Sequence, residues 1–231
     1  VTSRLRLGTL VTGNTYRNPA ILAKMVAQVD VISNGRVTLG IGAGWQENEH
    51  IAYDVPFYTA AVRLQRLEES VQVLRSLFDN PVTNFEGRHY EIVDAPLNPK
   101  PVQSHLPILI GGGGEKVTLR IVARYADAWN VPSAPDEWAR KSRILDEHCE
   151  RAGRNPATIH RTGAVLVSPG DPAKSGRFTN FSKLSDLADV VTPFAEAGAD
   201  ELIVHFNPGL PLAQRKELWT AFQAEIAPSF A

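Results

Sequence analysis

Short apolar segments alternate with longer segments of helical periodicity along this chain. Segments rich in Val, Ile and Leu and bounded by Gly, Asn or Ser are typical of buried parallel strands. We predict six of them, at residues 5–11, 36–41, 106–110, 126–131, 159–167 and 200–206. The order helix, Ala-Asp, strand occurs twice, at Ala126-Asp127 and at Ala199-Asp200. This alternation favours a parallel sheet covered by helices.

The segments between the strands carry apolar stripes at helical spacing. The first helix follows Asn18-Pro19, a favourable cap and first-turn pair, and has the stripe Ile21, Met25, Val29 and Ile32 before Asn34-Gly35 ends it. The clearest helix spans residues 60–78, with the stripe Leu64, Leu67, Val71, Leu74 and Phe78. Its charged residues are expected to form a solvated face or to brace a loop: Arg63, Arg66, Glu68, Glu69 and Arg75. Further helices are predicted at residues 115–125, 135–152 and 184–197 and from Pro211 onward, with Leu218, Trp219, Phe222 and Ile226 facing inward.

Two segments interrupt the alternation. Residues 81–103 contain a hairpin signal around Glu86-Gly87 and several prolines, so we interpret them as an excursion inserted between strand–helix units. Residues 168–182 are polar and rich in Pro and Gly, and they include Lys174 and Arg177. This segment is either a substrate lid or a mobile loop.

The number of strand–helix units predicts the fold class. Six units in 231 residues are close to an α/β TIM barrel, (β/α)8, that lacks two units, since such barrels run to about 250 residues. A six-stranded open sheet is the alternative. We predict one barrel domain over residues 1–231. Because barrels keep their active sites at the carboxyl ends of the strands, the residues that follow each strand are the candidates for chemistry.

Composition limits the classes of function. The net charge is −1 and the isoelectric point is about 6.7, so no global field attracts nucleic acid or an anionic membrane. Cys149 is the only cysteine, which excludes an internal disulfide and fits a reducing cytoplasm. The histidines lack the spacing of metal ligands, so we expect no metal site. The first residue is Val1 rather than Met, and we expect the sequence to lack its own beginning.

The densest group of polar and planar side chains follows the second strand. Gly42-Ala43-Gly44 permits a sharp turn or the close approach of a ligand, and it is followed by Trp45, Gln46, Asn48 and His50. Such a group is typical either of a ligand-binding mouth or of a tight turn with a packing Trp. The dinucleotide fingerprint fails here, because Trp45 or Glu47 stands where its third glycine is needed.

A run of four glycines, Gly111 to Gly114, follows the third strand and opens a helix. Unpaired N–H groups and partial positive charge at a helix N terminus suit a phosphate, so we predict phosphate binding by this run. It is not a Walker loop, because Glu115 stands before Lys116. His50 and His205 are candidates for acid/base chemistry or for core packing. Covalent catalysis has no candidate nucleophile.

Three blocks of the sequence together resemble the luciferase-like monooxygenase superfamily: LRLGTLVTGNTYRNPAILAKMVAQVDVISNGRVTLGIGAGWQENEH, PILIGGGGEKVTLRIVARYADAWN and GADELIVHF. They are most similar to the branch that uses the deazaflavin coenzyme F420. The resemblance implies a (β/α)8 barrel in which this chain begins at the third strand, so that the first two strand–helix units are absent. An opened barrel exposes unpaired strand edges, and we expect a homodimer that covers them, with a small-molecule substrate and neither nucleic acid nor membrane as a partner.

The resemblance also implies roles for individual residues. A non-prolyl cis peptide bond that backs the coenzyme ring would fall at Leu10–Val11, with Thr12 and Gly13 beside it. Asn48 would contact the coenzyme, and its phosphate would bind the backbone of Gly111, Gly112 and Gly113. Trp45 stands where some deazaflavin-dependent sugar-phosphate dehydrogenases carry an acidic proton donor, which argues against the same substrate and the same acid. Side chains expected to face the substrate, or else to pack in the core, are Trp45, Trp129 and Asn130.

The predicted function is that of an F420-dependent oxidoreductase that moves a hydride between the deazaflavin and a small organic substrate. A two-component monooxygenase that uses reduced FMN and oxygen is the alternative within the same family. Lys116, Arg120 and Arg124 do not decide between them, because they form an ordinary helix face rather than a clear anchor for the acidic tail of F420. The alternative from a different class is a barrel remnant without catalysis, acting as a binding or structural subunit.

Overall fold

The computed structural model describes residues 2–176 and 178–230. These residues form two compact units. The first comprises residues 2–129 and 145–159, and the second comprises residues 130–144, 160–176 and 178–230. The single barrel domain expected over residues 1–231 stays a prediction. None of the helices in the described ranges has both the length and the apolar character of a membrane span.

The first unit is built on parallel strands. Its strands are β1 (Leu7–Gly8), β2 (Thr12–Gly13), β3 (Val37–Gly42), β4 (Val82–Glu86), β5 (Glu91–Pro96) and β6 (Ile108–Gly111), and its helices are α1 (Pro19–Ser33), α2 (Glu47–Ala52), α3 (Ala60–Asp79) and α4 (Thr118–Tyr125). The parallel sheet has the order β1–β3–β6, and β2 also pairs with β3. The core between sheet and helices is aliphatic, with each of these residues at most 2% exposed: Leu39, Ile41, Leu67, Leu74, Ile108 and Ile110.

The second unit repeats the pattern. β7 (Ala128–Pro132) and α5 (Pro135–Arg151) have residues in both units, and the chain then forms β8 (His160–Pro169), β9 (Thr179–Phe181), α6 (Leu187–Glu196), β10 (Glu201–Phe206) and α7 (Leu212–Glu225). β8 pairs in parallel with both β9 and β10. Phe206 and Phe222 lie in the core of this unit, as does Ile226, but Trp219 is 42% exposed. The inward orientation predicted for Trp219 was therefore wrong in part, because only one edge of α7 is covered.

The aspartate of the repeated Ala-Asp sequence makes the same pair of hydrogen bonds in both units. The N–H of Asp127 donates to the carbonyl oxygen of Ile108 (2.8 Å), and the N–H of Ile108 donates to Asp127 Oδ2 (2.8 Å). Asp200 and Arg161 exchange the same two bonds, at 2.9 and 2.7 Å. Each aspartate thus joins the start of its own strand to a neighbouring strand of the same unit.

The first predicted strand is interrupted. Residues 5–11 contain only β1, and β2 begins at Thr12. Between them, Thr9 Oγ1 donates to the carbonyl oxygen of Gly40 (2.7 Å) and accepts from its N–H (3.1 Å), so a side chain replaces the backbone ladder. The predicted loop at residues 168–182 also contains a strand, β9, and Arg177 of its candidate lid lies outside the described residues.

The apolar stripe predicted for α1 is the exposed face of that helix. Ile21, Met25, Val29 and Ile32 are between 45% and 74% exposed. The buried face consists of the residues next to them, Leu22, Ala23, Val26 and Ala27. Met25 and Val29 line a groove of about 350 Å³, together with Leu7 and Thr38 from the sheet. α1 is therefore apolar on two faces.

The charged residues of α3 make tertiary contacts, so the predicted solvated face was wrong. Glu68 forms a bidentate pair with Arg120 of α4 (2.9 and 3.0 Å), and Arg124 lies 3.6 Å from the same carboxylate. Arg75 Nη2 donates to Asp127 Oδ2 at 2.5 Å. The alternative expectation, an Arg–Glu pair that braces a loop, is met only in part, because the Glu68–Arg120 pair joins two helices.

The excursion predicted at residues 81–103 contains an antiparallel hairpin of β4 and β5, which confirms the hairpin signal. Glu69 of α3 holds its turn. The carboxylate of Glu69 accepts backbone N–H bonds from three consecutive residues at 2.9 to 3.1 Å, namely Arg88, His89 and Tyr90. The hairpin is thus attached to the long helix that precedes it.

Candidate functional site

The carboxyl ends of β2, β3 and β6 meet in one row of glycines. Gly13 of β2 pairs with Gly42 of β3, and Gly42 pairs with Gly111 of β6. Val11 packs against this row, because a Cβ atom on Gly42 or on Gly111 would lie 2.9 Å from its methyl carbons. Three segments that the family resemblance assigns to a coenzyme therefore end side by side.

The segment before β2 reaches the surface. The Leu10–Val11 peptide bond is cis, at the position that the resemblance implies. Leu10 and Val11 are both exposed. Thr12 Oγ1 accepts a hydrogen bond from Nη1 of Arg17 (3.1 Å), and the rest of the Arg17 side chain is solvent-exposed. A guanidinium group thus lies next to the residues predicted to back the coenzyme ring.

β3 continues through a glycine hinge into α2. Gly44 has φ of +81°, in the region that favours glycine. Its carbonyl oxygen accepts from Nε of Arg63 (3.0 Å), and the Arg63 guanidinium lies 4.1 Å from the centroid of the Phe57 ring. Asn14, which follows β2, donates from Nδ2 to the carbonyl oxygen of Arg63 (3.1 Å). The start of α3 is therefore part of the same site.

His50 is the buried residue of α2, with no exposed surface. Its Nδ1 lies 2.7 Å from the carbonyl oxygen of Gln46, and its Nε2 lies 2.7 Å from Thr15 Oγ1. The ring stacks on Tyr16 with centroids 4.7 Å apart and meets the edge of Phe57 at 4.8 Å. Because both nitrogens are engaged and solvent is excluded, this geometry fits the packing alternative for His50 better than acid/base chemistry.

Two predicted ligand contacts of this region are accessible. Trp45, directly after the hinge, is 79% exposed, and Asn48 on α2 is also exposed. Beside them, the Tyr16 hydroxyl donates to Glu49 Oε2 (2.8 Å). Burial and this bond to the Glu49 carboxylate raise the pKa of the Tyr16 phenol. Tyr16 therefore stays protonated, and remains a hydrogen-bond donor, at neutral pH.

The glycine run leads from β6 to α4. Gly112 has φ of +135°, and its carbonyl oxygen accepts from Nε1 of the fully buried Trp129 (2.9 Å). The cap residue of α4, Val117, gives no side-chain hydrogen bond to the first turn. Gly111, Gly112 and Gly113 are partly exposed. α4 begins at Thr118, three residues later than the helix that the sequence predicts directly after Gly114, and phosphate binding by the glycine run stays a prediction.

Two predicted residues belong to the second unit. Asn130 is 4% exposed, and its Nδ2 donates to Thr162 Oγ1 (2.6 Å). His205 is exposed on β10. The substrate role of Asn130 and the catalytic role of His205 stay predictions, as do the roles assigned to the residues of the first unit.

Comparison with known proteins decides the family. The family model of luciferase-like monooxygenases matches residues 1–175. The chain belongs to this family. An F420-dependent glucose-6-phosphate dehydrogenase of Kineococcus radiotolerans is 34% identical to it over 185 residues, which are 78% of this chain and 54% of that enzyme. The chain spans about half the length of the curated relatives that it matches.

Solved structures confirm the predicted luciferase-like α/β fold. The coenzyme F420-dependent tetrahydromethanopterin reductase of Methanopyrus kandleri superposes with a TM-score of 0.83 at 17% identity, over 100% of this chain and 85% of that one. A riboflavin lyase solved with modified FMN and riboflavin gives a TM-score of 0.75 at 13% identity, over 96% of this chain and 71% of that one. These identities show the fold alone. The absence of the first two strand–helix units stays a prediction.

The sequence did not single out three residues that contact this candidate site in the structure, Thr15, Tyr16 and Arg63. Thr15 and Tyr16 follow a strand end, and that position was a usable signal because barrel chemistry gathers there. Arg63 gave no signal, since its place in a long amphipathic helix is typical of a solvated residue.

Proposed function

We propose that this family member is an F420-dependent oxidoreductase that transfers a hydride between the deazaflavin and a small organic substrate. The register that pairs Gly13 with Gly42, and Gly42 with Gly111, carries the proposal. It brings together three segments that the family resemblance assigns to one coenzyme. The Kineococcus relative, an F420-dependent dehydrogenase by name, supports the deazaflavin as that coenzyme.

The chain has candidate residues for the ring of the coenzyme and for its phosphate. Residues 10–13 would support the ring, and the exposed amide of Asn48 would contact it from α2. The backbone of Gly111 to Gly113, partly exposed before the uncapped α4, would bind the phosphate. Trp129 would hold that run in place through its bond to Gly112. The bound coenzyme would supply the redox chemistry, and the protein would supply orientation and shielding from water.

The exposed indole of Trp45 argues against a sugar phosphate as the substrate. A sugar phosphate would need hydrogen-bonding and cationic partners, whereas Trp45 offers a wide apolar surface directly after the hinge, 79% exposed. We therefore propose an apolar or aromatic substrate, small enough to lie against this ring. The proton that accompanies hydride transfer would come from a group other than residue 45, because an indole is no acid.

FMN is the competing coenzyme for the same residues. It also carries a phosphate, so the glycine run serves either coenzyme equally well. The luciferase-like fold is shared by an F420-dependent reductase and by a lyase solved with modified FMN. Whether the bound ring is a deazaflavin or a flavin therefore distinguishes the hydride-transfer hypothesis from the monooxygenase hypothesis.

Turnover tests the proposal. The chain is incubated with oxidised F420 and a panel of apolar alcohols, aromatic alcohols and a sugar phosphate, and the visible absorption of the deazaflavin is followed. We expect the deazaflavin absorption to fall with an apolar alcohol. The KM for F420 should be higher in Asn48→Ala than in the control Asn80→Ala, which lies at the end of α3. Consumption of reduced FMN and oxygen would support the monooxygenase instead. Reaction with neither coenzyme would contradict the proposal and favour a non-catalytic subunit.

A further inference from the structure

The hydrogen bonds of His50 place a hydrogen on its Nδ1 atom. The carbonyl oxygen of Gln46 can only accept, so Nδ1, 2.7 Å away, carries the hydrogen. In the neutral imidazole Nε2 is then the acceptor, and the Thr15 hydroxyl 2.7 Å away donates to it. We infer that His50, as this neutral tautomer, is a positioning residue that fixes the loop after β2 against α2; the inference rests on the proposed function.

Thr15 transmits this constraint to the hinge. A Cβ atom on Gly44 would lie 2.9 Å from Thr15 Oγ1, so the hydroxyl group sits directly on the hinge backbone. The bond between the Thr15 hydroxyl and His50 favours the Thr15 rotamer that places this hydroxyl on the hinge. The hinge and the loop after β2 therefore cannot move independently while this bond is present.

Tyr16 attaches the same loop to α2 a second time. Its ring stacks on His50, and its hydroxyl donates to Glu49, the neighbour of His50 on the helix. Two consecutive loop residues thus contact two consecutive helix residues. Such a double attachment fixes both the distance and the orientation between the loop and α2.

We call the contacts of Thr15 and Tyr16 with Glu49 and His50 the joint, and it lies between two groups of proposed coenzyme contacts. Thr12 and Gly13 of β2 precede the loop that contains Thr15, and Asn48 precedes Glu49 and His50 on α2. His50 itself has no exposed surface and acts through Thr15. Holding both groups at one separation before the coenzyme arrives removes an ordering cost from binding. The joint should therefore be visible in coenzyme affinity.

The test compares F420 affinity across variants of the joint. Thr15→Val keeps the side-chain shape and removes the hydroxyl, and His50→Leu removes the acceptor. We expect each to weaken F420 binding on the order of 10-fold, by analogy with the lower end of the loss observed when a partner that orients a metal ligand is removed. The double variant should bind no more weakly than either single variant. His50→Gln, which keeps an acceptor within reach of Thr15, should recover part of the affinity.

Thr83→Val is the matched control for stability. Thr83 is more buried than the partly buried Thr15, at 1% exposure, and its hydroxyl is bonded to Ser76 Oγ (3.0 Å) in the contact between α3 and the hairpin. This variant should lower the melting temperature at least as much as Thr15→Val does and leave the dissociation constant of F420 unchanged. If Thr83→Val weakens binding equally, the effect of Thr15→Val is one of stability and the positioning role is overturned.

Failure of the inference and failure of the proposed function are distinguishable. Unsubstituted chain that binds F420, with unchanged affinity in both Thr15→Val and His50→Leu, overturns the positioning role alone. Unsubstituted chain that does not bind F420 overturns the proposed function and the inference with it. Nitrogen NMR of the His50 ring adds a direct check, because the inference requires the Nδ1–H tautomer in the unsubstituted chain.

Discussion

Asp127 and Ile108 exchange two hydrogen bonds, one from each backbone N–H to an oxygen of the other residue, both 2.8 Å long. Asp127 also accepts from Arg75 (2.5 Å) and contacts His105 Nε2 (2.7 Å), so its carboxylate serves three partners. It is the centre of a junction between α3, β6 and the chain that leads into β7.

Asp127→Ala should lower the free energy of unfolding by about 2–3 kcal/mol, because it leaves the Ile108 N–H and Nη2 of Arg75 without their acceptor. Asp200→Ala is the matched control, since Asp200 makes the same exchange with Arg161 but is half-exposed. We expect about 1 kcal/mol for that variant. Urea unfolding measures both, and equal losses would show that the additional partners of Asp127 contribute nothing.

Gly40 has no room for a side chain. A Cβ atom there would lie 1.8 Å from the carbonyl oxygen of Thr9, which is backbone and cannot rotate away. Gly40→Ala should therefore cost about 3 kcal/mol or more, at or above the usual cost of overpacking. Gly176→Ala should be neutral within about 0.5 kcal/mol, because among the described residues nothing beyond its chain neighbours lies within 4 Å of the added Cβ atom. A stable Gly40→Ala variant in thermal unfolding would mean that β1 and β3 can separate without penalty.

The bidentate pair of Glu68 and Arg120 ties α4 to α3. The Glu68 side chain is 20% exposed, so we expect Glu68→Gln to lower the free energy of unfolding by about 1–2 kcal/mol. Glu147→Gln breaks an exposed pair with Arg151, and it should cost less than about 0.5 kcal/mol. Denaturant unfolding at low and high salt separates the two cases, because screening weakens exposed pairs most. A larger loss for Glu147→Gln would contradict this ranking.

The raised pKa of Tyr16 gives a pH dependence with a definite sign. Above the ordinary value of 10.0 the unfolded chain releases this proton before the folded chain does. The contribution of Tyr16 to stability is therefore complete below pH 10.0 and is lost as pH rises through the folded-state pKa. The free energy of unfolding of the wild type should exceed that of Tyr16→Phe by about 1 kcal/mol near neutral pH, the value of a typical hydrogen bond, because the bond to Glu49 is exposed. The difference should shrink above pH 10.0; a difference that grows there would reverse the assigned sign.

Local signals in the sequence predicted much of the fold. The Asn18 cap accepts from the N–H of Ala20, and Asn34 ends α1 in the left-handed conformation, as the sequence indicates. The same sequence could not show which stripe of α1 is buried, because Ile21 and Leu22 begin two stripes that are both apolar. Burial depends on tertiary packing, which helical spacing alone does not predict.

The candidate site was predictable where residues follow a strand and unpredictable where they arrive from a distant helix. Gly13, Gly42 and Gly111 each end a strand, and the parallel registers bring them together. Arg63 joins the hinge through a bond to Gly44, 19 residues earlier in the chain, for which no local pattern exists. α2 is too short at six residues to show a periodic stripe, so the burial of His50 had no signal either.

Equilibrium binding of F420 and of FMN to the purified chain, followed by quenching of protein fluorescence, tests the central claim most directly. Trp45, which is exposed beside the proposed ring site, is a natural reporter. The proposed function predicts saturable quenching by F420, at concentrations at which FMN has no effect. Quenching by FMN alone, or by neither coenzyme, would contradict it.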